Sequence, residues 1–82
     1  MPTIHEQFAA IAGRPHNVRF RTLERVVAAF GFELKRISGS HHIYRRPGVA
    51  EPLNLQNVRG QAKPYQVRQF LALVERYELE LR

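Results

Sequence analysis

Apolar residues along this chain recur with two spacings, one near 3.6 residues and one near two, and the switches between them outline the elements. Ile4, Phe8 and Ile11 keep helical spacing over residues 4–12. Thr3 is placed to cap that stretch, with Glu6 three residues later as its capping-box partner. Gly13, Pro15 and Asn17 then break the pattern. This lead-in is either a short helix laid against the rest of the chain or a loosely attached one.

Leu23, Val26, Val27 and Phe30 form one apolar stripe, which predicts a helix over residues 22–30, with Thr22 a candidate N-cap or the start lying a residue or two earlier. Gly31 supplies the left-handed residue that ends it. Residues 32–37 alternate as a strand, but imperfectly, so the inward face is left open. Ser38-Gly39 signals a tight turn, residues 41–46 a second strand, and Pro47-Gly48 its end. A third strand is expected from Glu51 to Gln56 or Val58. Pro52 near its start suits an edge position or the strand's first residues. Residues 60–63 read as a loop, and Pro64 suits the first turn of a helix. Val67, Phe70, Leu71, Val74 and Tyr77 give that last helix the longest stripe in the chain. Leu79 and Leu81 extend the helix or form a short edge strand. The expectation is an α+β domain, a three-stranded antiparallel sheet packed on two helices, with residues 1–16 as an N-terminal extension.

Composition narrows the chemistry. A chain of 82 residues suits one domain. At that size only about 60% of the unfolded chain's surface is buried, so a deep, enclosed active site is not expected. A formal charge of +6 and a pI near 10.8 favour polyanions, RNA or DNA first and acidic proteins second. The absence of cysteine excludes disulfides, zinc–thiolate sites and thiol nucleophiles. No apolar run approaches the roughly 20 residues that span a bilayer. No signal peptide is expected from a start that carries Glu6 and lacks a long apolar stretch, and a cytoplasmic location is compatible.

Gly39-Ser40-His41-His42-Ile43-Tyr44-Arg45-Arg46 is the segment richest in chemistry. On a strand, His41, Ile43 and Arg45 point one way and Ser40, His42, Tyr44 and Arg46 the other. The two histidines therefore do not make a metal pair, and nothing sets further ligands at metal-site spacing. His41 beside Arg45 suits proton transfer in RNA cleavage, with Arg45, Lys35 or Lys63 holding phosphate. From pattern alone His41 is more readily a surface or partly packed residue, His42 structural or substrate-facing, and Tyr44 core rather than a base-stacking platform. Arg59, Lys63 and Arg68 surround a strand end, a loop and a helix start, a combination suited to a nucleic-acid backbone. The lone Gly60 does not make it a phosphate loop. Arg14, Arg19, Arg21 and Arg25 read first as a solvated face and second as nucleic-acid contacts.

Gly31-Phe32-Glu33-Leu34 into Arg36, then Gly39-Ser40-His41-His42-Ile43-Tyr44, resembles the HicA toxin family. The stretch from Pro52-Leu53-Asn54-Leu55-Gln56 through Ala62-Lys63-Pro64-Tyr65-Gln66-Val67-Arg68-Gln69-Phe70 resembles a longer variety of it, and the resemblance covers residues 17–79. It implies a fold like the double-stranded-RNA-binding domain. It also implies the toxin of a type II toxin–antitoxin pair, an mRNA interferase acting without a metal or other cofactor, and a HicB-like antitoxin as partner. By the same resemblance, the histidine directly after Gly-Ser, here His41, is expected to be the catalytic one. Lys35, Arg36, Arg45, Arg59, Lys63 and Arg68 are then candidate phosphate contacts, and Gly39, Ser40, His42 and Tyr44 candidate supports. Two departures stand out. Pro52-Leu53-Asn54-Leu55-Gln56 replaces the Val-Pro-His-Pro-like stretch of many compact members, and the lead-in is extra. A non-catalytic nucleic-acid-binding module and a module binding an acidic protein remain the rival readings.

Overall fold

The computed structural model describes residues 2–81. Its elements are α1 (Ile4–Gly13), α2 (Phe20–Ala29), β1 (Glu33–Ser38), β2 (His41–Arg45), β3 (Leu53–Val58), β4 (Gln61–Ala62) and α3 (Pro64–Arg76). The strands form one antiparallel sheet in the order β1-β2-β3-β4. The α+β class is as expected, but the sheet has a fourth strand where the sequence suggested a loop. Two residues are too few for an alternation signal. β4 owes its pairing to a two-residue turn behind it and to the chain ahead of α2 on its other side. There Arg19 bridges Gln61, Ala62 donates to the Val18 carbonyl at 2.8 Å, and Phe20 donates to the Gly60 carbonyl at 2.9 Å.

That tie also sets the start of α2. It begins at Phe20, two residues before Thr22 and within the range the sequence left open, with Arg19 and not Thr22 in the N-cap position and no side-chain cap. The backbone bond from Phe20 to Gly60 does part of what a cap would have done. Its other end follows expectation. Gly31 has φ 93°, and its N–H and that of Phe32 return to the carbonyls of Ala28 and Val27, the pattern of a Schellman stop. Arg46 Nε donates to the Phe30 carbonyl at 2.6 Å, tying the end of β2 to this helix C-terminus.

α1 is packed, not loose. Its capping box is formed, with Glu6 N donating to Thr3 Oγ1 at 3.1 Å and Thr3 N to Glu6 Oε1 at 2.8 Å. These bonds hold the Glu6 carboxyl below its ordinary pKa. Ile11 is buried, and the Phe8 ring meets Phe30 edge-on at 4.8 Å. Leu23, Val26 and Val27 from α2, Leu53 and Leu55 from β3, and Val67 and Phe70 from α3 complete the core, all fully buried. Pro52 precedes a central strand, so it marks that strand's start and not a sheet edge. α3 stops at Arg76, where Glu78 takes φ 50° and Leu79 N–H returns to Val74. Leu79 and Leu81 therefore neither lengthen the helix nor add a strand.

β1 is exposed along its whole length. It is the outer strand beside β2, whereas α2 and α3 lie under β3 and β4. Leu34 and Ile37 stay open to solvent although they share the helix-side rows with Tyr44 and His42. This is why alternation in β1 was too weak to fix an inward face.

Candidate nucleic-acid interface

β2 and β3 set the site by register. His41 lies opposite Gln56, His42 opposite Leu55, Ile43 opposite Asn54 and Tyr44 opposite Leu53. Leu53, Leu55 and Tyr44 are buried against the helices. His41, Ile43, Asn54 and Gln56 must then share the face turned away from the helices. Arg36, paired with Ile43, and Ser38, paired with His41, extend that open face onto β1. Arg45, two residues beyond Ile43, belongs to it as well.

A two-residue turn delivers His41. Ser38 pairs with His41, leaving Gly39 and Ser40 as the loop, and Gly39 alone has positive φ, 60°. That is the requirement of a type II′ hairpin turn. A Cβ at Gly39 would meet nothing within 4 Å, so the demand for glycine is conformational and not a matter of space.

His41 Nδ1 lies 3.2 Å from Asn54 Oδ1. An amide oxygen only accepts, so in the tautomer that donates from Nδ1 to it the free lone pair of the ring is on Nε2. Nε2 has no hydrogen-bond partner among the described residues. The sequence reading assigned Asn54 no role. Its polar place between two leucines put it on the open face, but only the register brings it to His41.

The histidine pair is split as strand alternation requires. His42 faces the helices, its ring edge-on to Phe20 at 4.8 Å and its Nδ1 3.3 Å from the Ser40 carbonyl oxygen. Tyr44 is core. Its hydroxyl donates to Glu24 Oε2 at 2.8 Å, and burial, then that bond and the carboxylate's charge, push its pKa well up. A phenol so placed is neither a base nor a stacking platform.

The proposed phosphate contacts divide. Arg36 and Arg45 share the face of His41, and Arg45 also donates from Nη1 to the Ala50 carbonyl at 3.1 Å. Lys35 sits at the β-bulge between Leu34 and Arg36, with Nζ 3.0 Å from Glu33 Oε1. Arg59 lies on the β3–β4 turn, at the end of the sheet that also carries Gly39, Ser40 and His41. Lys63 precedes α3, its ammonium 6.0 Å from the centre of the Tyr65 ring. Arg68 is on the outer side of α3, opposite the buried Gln66, Val67 and Phe70. Arg68 is thus not gathered with His41. Among the described residues no three His, Cys, Asp or Glu side chains group as metal ligands, and no helix is long and apolar enough to cross a membrane.

No curated protein and no solved structure matches this chain. A family model does, described as the HicA toxin of bacterial toxin–antitoxin, over residues 20–75. The match runs from the first residue of α2 almost to the end of α3 and takes in every strand. On that match the chain belongs to the HicA toxin family, the toxin side of bacterial toxin–antitoxin pairs, whose fold is the α+β arrangement seen here.

Proposed function

We propose that this chain is the toxin of a type II pair and cleaves mRNA without a metal, with His41 as the proton-transfer residue. The observation that carries this reading is the His41–Asn54 bond on an open, basic sheet face. A fixed Nδ1 proton leaves Nε2 to take the proton of a ribose 2′-hydroxyl as its oxygen attacks the adjacent phosphorus. The phosphorus–5′-oxygen bond breaks, the leaving oxygen takes up a proton from solvent, and the His41 imidazolium returns its proton to solvent. Arg36 and Arg45 on the same face offer forked donors to the phosphoryl oxygens as charge builds on them. Attack by the 2′-oxygen leaves a cyclic phosphate on one product and a 5′-hydroxyl on the other.

The open face suits a single strand, whose bases are splayed and accessible. A HicB-like antitoxin of acidic surface would neutralise the toxin by covering this same basic face in the cytoplasm. A non-catalytic RNA-binding role is the second reading, and one observation favours it: the group that orients His41 is a neutral amide and not a carboxylate. Incubating end-labelled RNA with the protein in EDTA separates the two. Fragments with cyclic-phosphate ends support the nuclease. A shifted but intact RNA supports the binder.

A further inference from the structure

The sheet's open face does not end at His41. Gln61 pairs with Val58 on one side and with Arg19 on the other. Cross-strand partners share a face, so Arg19, Gln61, Val58, Gln56 and His41 all lie on the open side. Arg19 joins Arg21 and Arg59 around a recess floored by Gly60 and Gln61. Among the described residues no carboxylate lines it. Among the described residues none of the three guanidinium groups has a hydrogen bond or an ion pair. Three like charges gathered in a concavity repel one another and focus the field on an incoming anion.

Arg59 is held there at a conformational cost. Val58 pairs with Gln61, so Arg59 and Gly60 form a two-residue loop, and both have positive φ, 53° and 83°. That is a type I′ turn, whose first position favours Asn, Asp or Gly. Asn57 Oδ1, accepting from Gly60 N at 2.7 Å, braces the turn around it. Among the described residues no hydrogen bond or ion pair of the arginine accounts for the choice, whereas a binding role would.

We propose that Arg19, Arg21 and Arg59 form a second phosphate-binding subsite for single-stranded RNA, which grips the backbone of the strand whose scissile phosphate lies at His41. It rests on the reading of this face as an RNA surface. Three inter-strand spacings separate β2 from the Arg19 segment, about 14 Å. A single strand crossing the sheet spans that distance within a few nucleotides. The subsite anchors the strand away from the reacting bond, so it governs affinity and register and takes no part in proton transfer.

The test measures binding of a labelled oligouridine to the His41→Ala protein, so that no substrate is consumed, across a series of salt concentrations. Arg59→Asn places a residue the turn prefers, so the melting temperature is unchanged or higher. RNA affinity at low salt falls about tenfold. The slope of log affinity against log salt shrinks by about 0.7, one phosphate contact on a single strand. Arg19→Gln behaves the same way, and Arg68→Gln, on the far side of α3, changes neither quantity. Unchanged affinity and slope in both Arg59→Asn and Arg19→Gln overturn the proposal. So does a loss confined to binding of an acidic protein, which makes the recess a protein contact. The cleavage reading is judged apart, with His41 intact. Intact RNA alongside an Arg59-dependent slope removes the nuclease and keeps the subsite, whereas cleavage with no Arg59 dependence does the reverse.

Discussion

Replacing Gln66 by leucine tests how the helix layer holds β3 in position. Gln66 is the one buried polar side chain among the described residues, 3% exposed, on the inner side of α3. Its Oε1 accepts from the backbone N–H of Gln56 at 2.7 Å. β4 is only two residues long and pairs no further back than Asn57, so that N–H has no strand partner. Leucine keeps most of the volume and removes the acceptor. The stranded donor costs about 2 kcal/mol. For a chain of this length each kcal/mol moves the melting temperature by about 4–8 °C, so the loss is about 8–16 °C. Gln69→Leu, three residues along on the exposed side of the same helix, is the matched control and stays within about 0.5 kcal/mol of wild type. Thermal unfolding followed by circular dichroism reads both. If Gln66→Leu melts no lower than Gln69→Leu, the N–H of Gln56 does not depend on the glutamine and the reasoning fails. Because Gln56 lies opposite His41, cleavage should fall before global unfolding begins.

Other outcomes follow from single contacts. Asn54→Ala frees the His41 ring to rotate and exchange tautomers, so kcat falls about 10–100-fold with KM nearly constant; a KM effect alone would show Asn54 to be a substrate contact instead. Gly39→Ala forces a side chain into a left-handed residue and costs about 1–2 kcal/mol by denaturant titration, with activity falling further than stability because His41 follows directly on the turn. The Glu51 carboxyl is held below its ordinary pKa first by the Tyr77 hydroxyl and also by Arg76. Its folded pKa is depressed, so its contribution is present above the unfolded value and is lost as pH falls through the folded one. Tyr77→Phe should therefore flatten the acid limb of a melting-temperature profile, and an unchanged limb would show that Glu51 does not set it.

How far the fold could be read from the chain depends on the range over which each signal acts. α3, the Gly31 stop, the Thr3–Glu6 capping box and the split of His41 from His42 are written in residues a few positions apart, and each appears in the structure. The features that depend on distant pairing were not visible. β4 exists because Val18, Arg19 and Phe20 meet Gly60, Gln61 and Ala62, some forty residues away in sequence. The same tie fixes the start of α2 at Phe20, which the local signal left open between Thr22 and a residue or two before it. At the site, the catalytic candidate was legible from Gly39-Ser40-His41, but Asn54 reaches His41 only through the β2–β3 register. Arg68 was credited for lying near a helix start, yet it sits on the outer side of α3, which packs on the opposite side of the sheet from His41.

The most direct test of the central claim compares wild type with His41→Ala on a labelled single-stranded RNA in EDTA, after circular dichroism has shown both to be folded. His41 lies on the open face with its ring only partly buried, so the substitution should leave the core intact. Wild type should cleave and the variant should be slower by about 10²–10⁴-fold, the share that a proton-transfer group contributes, with RNA affinity little changed. Equal cleavage by the two folded proteins would contradict that claim.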